Sequence, residues 1–152
     1  TNRPQPADGG DPSWKTRYRD IPNEPLYPFG YGLSYTTFSY KDLKLDKSSA
    51  GLKDNIQVSV TVTNTGKYEG DEVVQLYIRD VTASIVRPVS ELRGFQKINL
   101  VPGESKTVRF TLTPDDLSFR DASGKKVLEP GLFKVMAGGN SRDVLSVDLL
   151  LK

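Results

Sequence analysis

"NIQVSVTVTN", residues 55–64, decides the fold class. Ile56, Val58, Val60 and Val62 fall on one parity, and Gln57, Ser59, Thr61 and Thr63 on the other. Side chains alternate with period two along a strand, so this stretch predicts a strand with one buried and one wet face. The same alternation recurs outward from it. "DEVVQLYIRD" (71–80) predicts Val74, Leu76 and Ile78 on the buried face, and "TVRFTLT" (107–113) predicts Val108, Phe110 and Leu112. "GLFKVMAGG" (131–139) groups Phe133, Val135 and Ala137, while "VLSVDLLLK" (144–152) groups Leu145, Val147, Leu149 and Leu151. Phe38 to Leu45 and Leu92 to Leu100 complete about seven strands. The separators "NTGKYEGD", "VPGES", "DASGKK" and "EPG" are clusters of turn-forming residues,. Short strands at this spacing predict an all-β sandwich or barrel. One helical turn is expected in "TPDDLSF" (113–119), with Thr113 as cap and Pro114 at the first position,.

Composition narrows the chemistry. The chain has 152 residues, enough for one domain with an appended arm,. Its net charge of +2 comes from scattered Lys and Arg, which argues against a nucleic-acid partner,. There is no Cys, so thiol catalysis and Cys-based zinc sites are excluded,. There is no His either, which removes the commonest general base and the commonest metal ligand,. No cofactor is expected. No apolar run approaches the roughly 20 residues of a membrane-spanning helix, so no membrane partner is expected. "TNRPQPADGGDPSWK" lacks an initiator Met and the charged-then-apolar order of a signal peptide, and reads as the interior of a longer chain,.

Residues 1–37 differ from the rest. They hold six of the ten prolines, at 4, 6, 12, 22, 25 and 28, which predicts an extended arm,. The arm also carries Trp14, Tyr18, Tyr27, Phe29, Tyr31 and Tyr35, and a disordered linker is poor in aromatics,. Two readings follow. The six rings are interdomain anchors, buried against the sandwich or a neighbour, since each ring buries about 150–250 Å². Alternatively, Trp14 and Tyr31 contact carbohydrate, whose C–H faces stack on aromatic rings. Gly30 and Gly32 would then allow close backbone approach or positive φ,.

The acidic residues read as structural. Catalysis by a carboxylate pair acting as acid and base or nucleophile needs the two groups about 5–9.5 Å apart. Asp71 and Glu72 are neighbours on a predicted strand and point to opposite faces,. Asp115 and Asp116 suit a first helical turn, where negative charge is favoured,. "NTGKYEGDEVV" is a connection with Asn64 and Gly66 in turn conformations, and has too few oxygen ligands for a calcium loop,. Arg79, Arg87 and Arg93 are candidates to pair with Asp80 and Glu91.

The order "YPFGYGLSYTTF", "VTNTGKYEGDEVVQLYIRD", "RPVSELRGFQKINLVPGE", "LEPGLFKVMAGGNS" resembles the C-terminal end of family 3 glycoside hydrolases of the β-glucosidase and β-xylosidase type. The resemblance runs from Tyr27 to about residue 149. It implies an immunoglobulin-like, fibronectin type III-like sandwich over residues 38–152, preceded by a tether over 1–37. The family's catalytic Asp and Glu lie in upstream domains, and no residue here matches either motif, so no catalytic role is carried over. The implied function is a non-catalytic accessory domain that braces the catalytic domains and shapes substrate access or dimerisation. An independent carbohydrate-binding or protein-interaction module is the alternative. The resemblance also implies a periplasmic or secreted setting, the parent's catalytic domains as partners, and a homodimer formed through the parent enzyme.

Overall fold

The structure, a computed structural model, describes residues 25–82, 84 and 88–152. The strands are β1 (Phe38–Leu45), β2 (Ser49–Ala50), β3 (Ile56–Asn64), β4 (Gly70–Asp80), β5 (Glu91–Leu100), β6 (Ser105–Leu112), β7 (Phe119–Arg120), β8 (Lys126–Val127), β9 (Gly131–Gly138) and β10 (Val144–Leu151). One helical turn, α1 (Pro114–Leu117), lies between β6 and β7.

Two sheets face each other. One has the order β1-β3-β6 and the other β2-β10-β9-β4-β5. Every pair is antiparallel except β2 with β10, which is parallel; β7 and β8 form a separate small hairpin. The predicted alternation explains the core. Ile56, Val58, Val60 and Val62 are fully buried, and across from them lie Val74, Leu76, Ile78, Phe133, Val135 and Ala137. Leu149 and Leu151 are buried as well, while Leu145 and Val147 pack on the core's margin.

All seven long strands fall where the sequence reading places them. The three two-residue strands were not anticipated, because two residues cannot show a period. β2 owes its pairing to β10: Leu150 and Leu151 register with Ser49 and Ala50. Edge strand β1 carries an irregularity between Lys41 and Lys44, where Asp42 has φ 55°. Such a bulge twists an edge strand and discourages pairing with another chain. α1 is capped as expected. Thr113 Oγ1 accepts from the Asp116 amide, and Asp116 Oδ2 accepts from the Thr113 amide.

Candidate functional site

Strand β4 shows where the end of the arm docks as a strap, residues 25–36. Its inward residues are buried as predicted, but so are Gln75 and Tyr77 on the outward parity. A one-sided sheet leaves such positions wet. Here Gly30 of the strap lies against Gln75. Tyr31 N donates to Pro28 O at 3.1 Å, closing a turn in which Gly30 has φ +78°. A positive φ at the third position defines a type II turn and favours glycine. Gln75 Nε2 donates to Gly30 O at 3.2 Å and to Gly139 O at 2.5 Å, while Tyr77 Oη donates to Gln75 Oε1. A Cβ on Gly30 would lie 2.0 Å from Gln75 Oε1, so glycine is required for the close approach as well as the turn. Ser141 N donates to Phe29 O at 2.9 Å, and Arg142 Nη2 to Pro25 O at 2.8 Å. Pro28 is buried.

The strap's far end enters a polar knot around Asn64, which is fully buried at the end of β3. Asn64 Oδ1 accepts from Thr36 Oγ1 at 2.7 Å and from Gly66 N at 3.0 Å. Its Nδ2 donates to Tyr68 O at 2.8 Å and Leu100 O at 2.9 Å. Four bonds satisfy the amide, as burial demands. Asn64 therefore acts through its side chain, and not by adopting a turn conformation as expected. Gly66 has no positive φ; a Cβ there would lie 2.1 Å from Thr36 Oγ1, and one on Gly70 would lie 2.7 Å from Thr36 Cγ2. Both glycines make room for Thr36. Gly32, by contrast, faces open space without a positive φ.

The strap's rings turn the other way. Tyr27, Phe29, Tyr31 and Tyr35 are all exposed, with Tyr31 at 46% and Tyr35 at 97%. Leu26 and Leu33 are exposed beside them at 84% and 91%. None of the four rings is buried on this sandwich; Pro28, Thr36 and backbone groups dock the strap instead. Tyr27 and Tyr31 pair with ring centroids 4.9 Å apart and planes tilted by 35°. Trp14 and Tyr18 lie outside the described residues, as does Arg87. The clamp residues Gln75, Tyr77 and Gly139 escaped the sequence reading. Alternation assigns Gln75 and Tyr77 to the wet face, and nothing in the local sequence marks a cover.

The carboxylates are engaged in structure. Asp71 accepts from Lys97 Nζ at 2.7 Å and Asn99 Nδ2 at 2.9 Å, and these bonds hold its carboxyl below the usual range. Glu72, on the opposite face, accepts from Tyr40 Oη at 2.5 Å, joining the two sheets. Burial raises the Glu72 carboxyl, which the Tyr40 bond partly offsets. Burial and the Glu72 partner push the Tyr40 phenol far above its ordinary value. Asp115 pairs with Lys126, Asp116 caps α1, and Arg93 Nη2 meets Glu91 Oε2 at 2.6 Å. Among the described residues no three His, Cys, Asp or Glu side chains gather to hold a metal, and no helix is long and apolar enough to cross a membrane. The strap thus presents a row of apolar side chains outward from a hydrogen-bonded backbone.

Residues 72–141 match the family described as the fibronectin type III-like domain. The chain is 50% identical over 131 residues to the periplasmic β-glucosidase of Salmonella typhimurium, covering 86% of this chain and 17% of that protein. It is 49% identical over 142 residues to a β-xylosidase of Formosa agariphila, covering 92% of this chain and 20% of that one. The crystal structure of a β-glucosidase from Listeria innocua in complex with gluconolactone matches with a TM-score of 0.88 at 44% identity, over 99% of this chain and 21% of that one. The chain thus spans about a fifth of the length of the curated relatives it matches. Fold and matched family together define a fibronectin type III-like sandwich. Within that class, the chain belongs to the domains carried by family 3 glycoside hydrolases of the β-glucosidase and β-xylosidase type.

Proposed function

We propose that this chain is the non-catalytic accessory domain of a β-glucosidase-like enzyme acting outside the cytoplasm, and that the strap fastens it to the catalytic domains. One observation carries the reading. The strap is held by the carbonyls of Phe29 and Gly30 and the hydroxyl of Thr36, yet its six large apolar side chains between Leu26 and Tyr35 are exposed. A contiguous exposed apolar row on a held backbone marks an interaction surface. Interfaces within a chain commonly bury about 600–1,500 Å², an area that six such side chains can largely supply. The likeness to larger glycosidases supports the catalytic domains as the partner.

Hydroxyl-radical footprinting tests this. Tyr31, Leu33 and Tyr35 are expected to be labelled several-fold faster in the isolated chain than in the full-length enzyme. Equal labelling in both overturns the reading. The carbohydrate alternative rests on the Tyr27–Tyr31 ring pair, and predicts that soluble oligosaccharide slows the labelling of those two rings in the isolated chain.

A further inference from the structure

The turn after β9 carries much of the strap's attachment. Gly139 O accepts from Gln75 Nε2, which also donates to Gly30 O; Ser141 N donates to Phe29 O, and Arg142 Nη2 to Pro25 O. The same turn rests on the Tyr40–Glu72 pair. Tyr40 comes from β1 of one sheet and Glu72 from β4 of the other; both are half-buried, and Tyr40 Oη donates to Glu72 Oε1 at 2.5 Å. A Cβ on Gly139 would lie 2.5 Å from Glu72 Oε1 and 3.4 Å from Tyr40 Oη, so the turn's backbone sits directly against the pair. One glycine therefore touches the bond between the sheets on one side and the strap's clamp on the other. The flanking charges have other settings. Asp71 pairs with Lys97 on the opposite face, Lys41 is exposed on the other parity of β1, and Lys44 approaches Asp42. Asp143 accepts from Asn140 within the turn, and Lys134 pairs with Asp148 across β9 and β10. Apolar Ile98 is the residue in register with Glu72. Among the described residues, Tyr40 is thus the one titratable group bonded to Glu72.

We propose that the Tyr40–Glu72 pair is a proton-controlled latch for the strap: the neutral carboxyl seats the Gly139 turn and holds the strap down, and the ionised carboxylate unseats the turn and lets the strap open. The cause is hydration. A carboxylate accepts at about four sites, and Tyr40 supplies one donor,. The remaining sites call for water, and the Gly139 backbone stands against Oε1 where that water would enter. The neutral carboxyl makes a weaker demand. Burial raises the Glu72 carboxyl and the Tyr40 bond opposes it, as fits a site that disfavours charge while the turn is down,. The sign follows. The closed strap holds the Glu72 proton more tightly than the open strap does. Closure is therefore favoured below the open form's carboxylate pKa, and loses that advantage as pH rises through the closed form's value. Each pKa unit between the two forms changes the open fraction about tenfold. The latch is independent of what the outward apolar row docks against.

Amide exchange of this chain, each rate divided by the intrinsic rate at the same pH, tests the latch at Ser141, whose N–H bonds the strap. Protection of Ser141 is expected to fall several-fold from acid to neutral pH in the wild type. It is expected to stay flat in Glu72→Gln, which keeps an acceptor for Tyr40 and has no proton to lose. Tyr40→Phe removes the bond that lowers the carboxyl, and should move the midpoint to higher pH. Flat Ser141 protection in the wild type, with β3 amides alone losing protection, means that Glu72 titrates only on global unfolding and overturns the latch. A fall at Ser141 that survives Glu72→Gln belongs to another group and overturns it as well. The wild-type carboxyl carbon resonance of Glu72 gives a check that needs no variant. Its titration midpoint is expected to coincide with that of the Ser141 amide shift, and two separate midpoints refute the coupling.

Discussion

Asn64 ties three segments together through one amide, and its loss should show it. Asn64→Ala strips partners from Thr36 Oγ1, Gly66 N, Tyr68 O and Leu100 O at a fully buried position. Leaving buried polar groups unpaired costs about 1–3 kcal/mol each before water enters, so a destabilisation of about 2–4 kcal/mol is expected by urea titration. Thr36→Val removes a single bond and should cost about 1 kcal/mol. Glu72 has the opposite character. Its folded-state pKa is raised, so the folded chain holds that proton more tightly than the unfolded chain. The Glu72 contribution is therefore fully present below the unfolded carboxylate pKa and is lost as pH rises through the folded value. Tyr40, also raised, repeats the sign at alkaline pH: its contribution is lost as pH climbs above the phenol's unfolded pKa of about 10,. Glu72→Gln keeps an acceptor for Tyr40 and removes the acidic step. Its stability relative to wild type should grow from acid to neutral pH, and a flat difference across that range would contradict the assignment.

At the scale of elements, the long strands were readable because a buried face and a wet face alternate without exception in β3. In β4 the same reading was incomplete. Val74, Leu76 and Ile78 are where parity puts them, but Gln75 and Tyr77 are buried too, with Gln75 bonded to Gly30 of a strap that no local pattern could place there. The strap itself was legible as proline-rich and aromatic, yet not the side it presents. Its docking runs through Gly30 O, Phe29 O and Thr36, which are backbone and hydroxyl groups with no hydrophobic signature. Likewise "NTG" reads as a turn, because a sequence does not show that Thr36 comes from 28 residues away to bond Asn64. The clamp makes its own prediction. Gly30→Ala forces a side chain into a positive-φ site and against the Gln75 amide. The conformational part alone is worth about 1–2 kcal/mol, and should raise the strap's open fraction by about 5- to 30-fold. Hydrogen exchange at Tyr31 and Ser141 should accelerate to match, with β3 and β9 amides unchanged. Faster global unfolding without that local change would mean the strap is not held there.

For the whole molecule, the two sheets close an apolar core to which the strap contributes no side chain. The fully buried Ile56, Val58, Val60, Val74, Ile78, Val135 and Leu149 all come from β3, β4, β9 and β10. Stability is then uneven by construction, with a cooperative sandwich and a surface strap whose described rings are all exposed. Regions with few buried apolar contacts open locally at low free energy, while core strands exchange only on global unfolding. Native-state exchange of the isolated chain under increasing urea should therefore split into two classes. Amides of β3, β4, β9 and β10 should converge on the global unfolding curve, and Tyr31 and Ser141 should stay on a flat, denaturant-independent line. In the full-length enzyme, burial of the outward row should move those two amides toward the core class, because opening the strap would then expose the interface as well. Two classes in the isolated chain that persist unaltered in the full-length enzyme would mean that nothing presses the strap onto the sheet, and the apolar row would need another occupant.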